Sequence, residues 1–77
     1  KGEGIAIHAL NTKSPFDILF FDDQYRLAAL HSRVAPCLRA EECRPYSSPA
    51  PSRMVIEMRG GAAERFHVQE GDRVEFY

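Results

Sequence analysis

The run Phe16-Asp17-Ile18-Leu19-Phe20-Phe21, entered through Pro15 and left through Asp22-Asp23, restricts what this chain can fold into more than any other stretch. Read with a period of two, it puts Phe16, Ile18 and Phe20 on one side and Leu19 and Phe21 on the other, so neither side tolerates water. A strand apolar on both faces is covered on both faces, which predicts a central strand. Pro15 can stand only at its entry, since proline has no N–H for a ladder and fixes φ. The aspartates that follow bond nearby backbone amides and favour a turn, so Asp17 to Arg33 reads as a hairpin.

The rest of the chain packs around that strand. Ile5 to Leu10 alternates as a first strand, with Ile5, Ile7 and Ala9 on one side and His8 among small residues on the other. His8 is either the wall of a shallow pocket or, more commonly, a partly buried histidine bonded to a backbone carbonyl. Tyr25 to Val34 is the return strand. Prolines at 36, 45, 49 and 51 with intervening serines argue against any regular element in 35–52. That long loop offers Arg39, Glu41, Glu42, Arg44 and Tyr46 as polar binding groups, or simply a solvated surface. Arg53 to Arg59 alternates again, with Met54, Ile56 and Met58 inward and Arg53, Val55, Glu57 and Arg59 on a wet face. Gly60-Gly61 stops it, Ala62 to Phe66 favours one or two helical turns, and Glu70-Gly71-Asp72 turns into a terminal strand with Val74 and Phe76 inward. The expected fold is mostly β: four strands and a terminal one in a small antiparallel sandwich or partly open barrel, with one short helix before the last strand.

At 77 residues the chain is a single domain, 1–77, of a size at which one core supplies only about 3–5 kcal/mol and a staple or a partner is common. Ten basic and 11 acidic residues give a net charge of -1, too balanced to steer the chain to nucleic acid or an anionic membrane. No apolar run approaches the ~20 residues needed to cross a bilayer, and the chain is expected to be soluble. Cys37 and Cys43, six apart in a proline-flanked loop, suggest a disulfide closing a short loop; two unrelated thiols in a reducing compartment are the alternative.

In order along the chain stand Asn11-Thr12, Pro15-Phe16-Asp17-Ile18, Phe20-Phe21-Asp22, Ala35-Pro36-Cys37, Cys43, Pro45-Tyr46-Ser47-Ser48-Pro49, Arg53 to Glu57 and Gly71-Asp72-Arg73-Val74. The series resembles the bacterial and archaeal family called domain of unknown function 192, whose pattern runs N-T, P-L/I-D-I/V, F-I/L-D, P-C, C-P-x-Y, P-A-R-Y-V-L-E, A-G and G-D-x-V, and it covers roughly two-thirds of a usual family domain. The resemblance implies a compact β-rich domain without an established reaction, often exported. It favours the Cys37–Cys43 bridge and marks Asn11, Asp17 and Tyr46 as structural or binding candidates. Two features depart from the family pattern. Nothing corresponds to the N-terminal strands and the helix with an R-G-L-M motif, so the chain is a fragment or a short version whose open sheet edge is covered by a partner or a second copy. Leu10 stands where relatives often carry a cation.

No catalytic motif, metal-ligand spacing or cofactor signature is present. His8, His31 and His67 with Asp17, Asp22 and Asp23 could meet at a metal only through the fold. The expected role is therefore a non-enzymatic binding or interaction module for a small ligand or a protein, acting through His8, Asn11, Asp17, Tyr46 and the 35–52 loop. The alternative is a small hydrolase-like or metal-assisted enzyme using His8 and Asp17, with or without Cys37; its sharpest form takes Cys37 as a free low-pKa thiol and His8 or His31 as its base.

Overall fold

The computed structural model describes residues 7–9, 13–48 and 51–74. Strand β1, Phe16–Phe21, is buried along its whole length. It lies between β2, Leu27–Val34, and β3, Met54–Arg59, in an open antiparallel sheet of order β2-β1-β3. Phe16, Ile18 and Phe20 pack with Ala9, Ala29 and Val34 on one side, joined by Ile7, Cys37, Tyr46 and Val55. Leu19, Phe21 and Leu27 pack on the other with Leu30, Met54, Ile56, Met58, Val68 and Val74. The hydrophobic effect of about 1.5–3 kcal/mol per buried large side chain therefore acts on both faces of one strand.

The turn into β2 is built by Asp22. Its Oδ1 accepts the N–H groups of Gln24 at 2.9 Å and Arg26 at 3.0 Å, bonds that hold this exposed carboxyl below the usual aspartate value. Tyr25 takes a left-handed conformation, φ 61°, to close the turn. Strand β2 is irregular where β3 is not. β3 pairs with β1 residue for residue from Phe16↔Arg59 to Phe21↔Met54. In β2, Ser32 and Arg33 together face Asp17, and Ala28 is a second extra residue nearer the turn. Such bulges bend a strand and free a backbone N–H from the ladder.

The short helix falls where the sequence places it, at Ala62–Arg65, but the expected first and last strands, Val55 and the long loop depart from the sequence expectation. Only Ile7–Ala9 of the expected first strand is described, and it pairs with the long loop rather than with the sheet: Ile7 and Tyr46 exchange backbone bonds of 2.9 and 2.7 Å, and Cys37 donates to Ala9 at 3.0 Å. The terminal strand contributes, among the described residues, a single bridge of Arg73 to Arg26; Phe76 lies outside them. Val55 does not face water as its alternation suggested. It packs on the Phe20 side, because the residues 7–9 segment and the long loop cover that face too. The loop itself contains a one-turn 3-10 helix at Ala40–Glu42, which the disulfide encloses.

Cys37 and Cys43 are bridged, with Cα atoms 5.5 Å apart. Cys37 also sits against the Phe16 cluster, so the bridge pins the loop to the core. Replacing both cysteines by serine is expected to lower stability by about 2 kcal/mol through the freed unfolded chain, read as a fall in the urea midpoint at unchanged slope.

Candidate functional site

Asp17 is fully buried, and both of its carboxylate oxygens accept backbone N–H groups. The bulge opposite it turns the Arg33 N–H inward, and Oδ1 accepts that group at 2.8 Å. The same oxygen accepts Gly61 N–H at 3.0 Å, and Oδ2 accepts Ala63 N–H at 2.9 Å. Burial pushes the Asp17 carboxyl up, while the three backbone donors and the Arg33 guanidinium pull it down; the balance lies below the ordinary aspartate value of 3.8. One side chain thus fastens β1 to the end of β2 and to the first turn of α1, Ala62–Arg65.

The link between β3 and α1 has little freedom. Gly60 donates to the Pro15 carbonyl at 3.1 Å, and a Cβ on Gly60 would stand 3.0 Å from that carbonyl's carbon and oxygen. Gly61 has φ 91°, a left-handed conformation that glycine adopts without a steric cost. A Cβ there would meet the Arg33 guanidinium at 2.9 Å. The backbone therefore passes close beneath an arginine because no side chain intervenes.

Above this turn lies a groove of about 480 Å³ lined by Arg33, Arg59, Gly60, Gly61, Ala62, Arg65 and Phe66. Arg33 Nη1 pairs with Glu64 Oε1 at 2.7 Å, both side chains being well exposed, so the pair adds little stability. Arg59 and Arg65 have no carboxylate partner among the described residues. Arg65 lies over the Phe66 ring, 5.8 Å from its centroid. Three guanidinium groups on one groove, with one carboxylate beside them, make a local excess of positive charge in a chain whose overall charge is -1. Guanidinium forks bind phosphate and carboxylate groups through paired N–H donors.

The residues expected from sequence are not gathered in one place. Asp17 projects to the Leu19 and Phe21 side of the sheet by alternation, whereas Tyr46 packs on the Phe16 side. Tyr46 helps line a smaller hollow of about 220 Å³ with Ala9, Pro36, the disulfide, Glu42 and Arg44. The Arg44 guanidinium stands 4.8 Å from the Tyr46 ring centroid. His8 is exposed, and Asn11 lies outside the described residues. The partly buried histidine bonded to a carbonyl is His31 instead. Its Nε2 lies 2.8 Å from the Ser47 carbonyl oxygen, and its ring meets Phe20 and Tyr46 edge-on at 5.8 and 5.2 Å. Cys37, bridged to Cys43, is not the free thiol that the nucleophile form of the enzymatic alternative needs. Among the described residues, no group of three or more His, Cys, Asp or Glu side chains is placed to hold a metal ion, and no helix is long and apolar enough to cross a membrane.

The arginine groove was not visible in the sequence. Arg59 reads there as a solvated strand position, Arg33 as the end of the hairpin, and Arg65 as part of a local helix former. The signal that could have exposed it is Arg59-Gly60-Gly61 followed within one helical turn by Arg65-Phe66, a bare backbone flanked by cations.

Residues 2–76 match the profile of DUF192, described as an uncharacterised ACR. The chain belongs to the DUF192 family. Two solved structures share its fold. One is a protein of unknown function from Novosphingobium aromaticivorans DSM 12444, 27% identical with a TM-score of 0.85 over 97% of this chain and 51% of that one. The other is a candidate transcription regulator from Sinorhizobium meliloti 1021, also 27% identical, with a TM-score of 0.82 over 97% of this chain and 55% of that one. The chain thus spans about half the length of these solved relatives. No curated protein matches it. In this DUF192 domain, the residues of the family's P-L/I-D series have a structural explanation. Pro15 supplies the carbonyl that Gly60 reaches, and Asp17 supplies the carboxylate that orders the glycine turn.

Proposed function

We propose that this DUF192 domain is a non-enzymatic binding module that holds an anionic group in the groove formed by Arg33, Arg59 and Arg65. The observation that carries this reading is the convergence of those three side chains over the Gly60-Gly61 turn. The enzymatic alternative finds less support: both Asp17 oxygens are committed to backbone donors, and the Cys37 sulfur is in a disulfide. The hollow beside Tyr46 and Arg44 is a second place at which a ligand or a partner protein could engage the long loop. The disulfide supports an oxidising, exported location. An open sheet supports covering of its edge by a second copy or a partner.

Inorganic phosphate tests the groove. Titrated at constant ionic strength and followed by amide resonances, it is expected to shift Arg59, Gly60, Gly61 and Arg65 saturably with a Kd of about 1 mM. Removing both cations in R59A/R65A is expected to weaken binding about tenfold or more, with each charge-assisted contact contributing about 1 kcal/mol. Shifts that stay linear, or a double variant that binds as the parent does, would rule out the groove as the anion site.

A further inference from the structure

We infer that the groove takes an anion carried on a flat aromatic ring, a small aromatic phosphate or carboxylate, rather than a bare inorganic ion. The inference rests on the anion-binding reading of the groove and deepens it. Its first support is Phe66. Large hydrophobic side chains in a domain this small belong in the core, yet Phe66 is 64% exposed and forms part of the groove wall. The other strongly exposed one among the described residues, Leu38 at 78%, lies in the disulfide loop and lines neither hollow. An exposed ring beside arginines is what a second ring stacks on, since aromatic pairs favour offset or edge-on contact and a guanidinium plane stacks on a π-face. Arg65, 5.8 Å from the ring centroid, attracts the face of such a ring as well as the charge it carries.

The second support is size. A groove of about 480 Å³ falls within the ~300–1,000 Å³ range of small-molecule sites, far more than one phosphate fills. Phe66, Arg59 and Arg65 line the same groove, so a ring bearing one anionic group offers a face to the first and a charge to the other two. Gly60 and Gly61 line the groove without side chains, so its selectivity for a ring comes from Phe66.

Phenyl phosphate, cyclohexyl phosphate and inorganic phosphate separate charge, bulk and flatness, and the disulfide-intact domain can be titrated with each. Phenyl phosphate is expected to bind about 3–10-fold tighter than cyclohexyl phosphate, and Phe66→Leu, checked for an unchanged fold by its amide spectrum, is expected to bring that ratio to about one. Equal affinity of the two organic phosphates in the parent protein would overturn the inference while leaving the anion groove standing. A preference for phenyl phosphate that survives Phe66→Leu would overturn the role of Phe66. Failure of all three probes to bind at about 20 mM, some 20 times the expected Kd, would overturn the groove itself.

Discussion

Asp17→Ala is expected to lower stability by about 3–5 kcal/mol, because three inward-facing N–H groups lose a charged acceptor and each unsatisfied buried donor costs about 1–3 kcal/mol. In a domain whose total stability is of that order, the variant is expected to be largely unfolded at ambient temperature. Asp17→Asn provides the graded comparison. Its carbonyl can still accept from Arg33 and Gly61, but its amide turns donors toward the Ala63 N–H, so an intermediate loss is expected. Chemical denaturation of both variants checks this, and a loss below about 1 kcal/mol for Asp17→Ala would contradict the role assigned to the carboxylate. The same carboxyl sets an acid limit. Its folded-state pKa lies below the ordinary value of 3.8, so the ionised form is favoured by folding. The stabilisation is fully present above the unfolded-state pKa and is lost as pH falls through the lower, folded-state value. Stability is therefore expected to fall below about pH 4. Most of that dependence is expected to disappear in Asp17→Asn, with a remainder from the exposed Asp22, whose carboxyl is lowered in the same direction.

Phe20→Ala is expected to cost a similar amount, about 3–5 kcal/mol, from lost transfer energy and the cavity left among residues that cannot close it. Phe20 has no exposed surface and is contacted edge-on by His31, which is itself held by the Ser47 carbonyl. Collapse of the site is therefore resisted from the loop as well as the sheet. Phe66→Ala, on the exposed groove wall, is expected to change stability by no more than about 0.5 kcal/mol. A comparison of the two denaturation curves separates an aromatic that holds the fold from one that is free for a ligand.

The central strand could be read from the chain because its pattern is local. Phe16 to Phe21 is apolar on both sides, and only an inner position satisfies it. The Asp22 turn, the strand through Ile56 and the one-turn helix followed from equally short-range signals. The cysteine spacing allowed the bridge. What escaped was set by distant partners. Asp17 reaches Gly61 and Ala63, 44 and 46 positions away, and nothing beside it in sequence announces either. Val55 was assigned to water because alternation reports the number of faces on a strand, not what covers them. His8 and His31 are indistinguishable by composition; a carbonyl from Ser47 decides which one is held. Arg33 reaches the groove only because a bulge gives it φ 52°, and its neighbours give no hint of a left-handed residue there.

The tie at Asp17 also bears on the order in which a growing chain can become native. Until Gly61 and Ala63 have left the ribosome, the hairpin made by β1 and β2 would have to enclose an ionised carboxylate with one donor instead of three, or keep it in water and leave the sheet half-packed. Stable structure is thus expected only after nearly all of the domain has been synthesised, and truncation before Gly61 should yield a chain that does not fold rather than a smaller sheet.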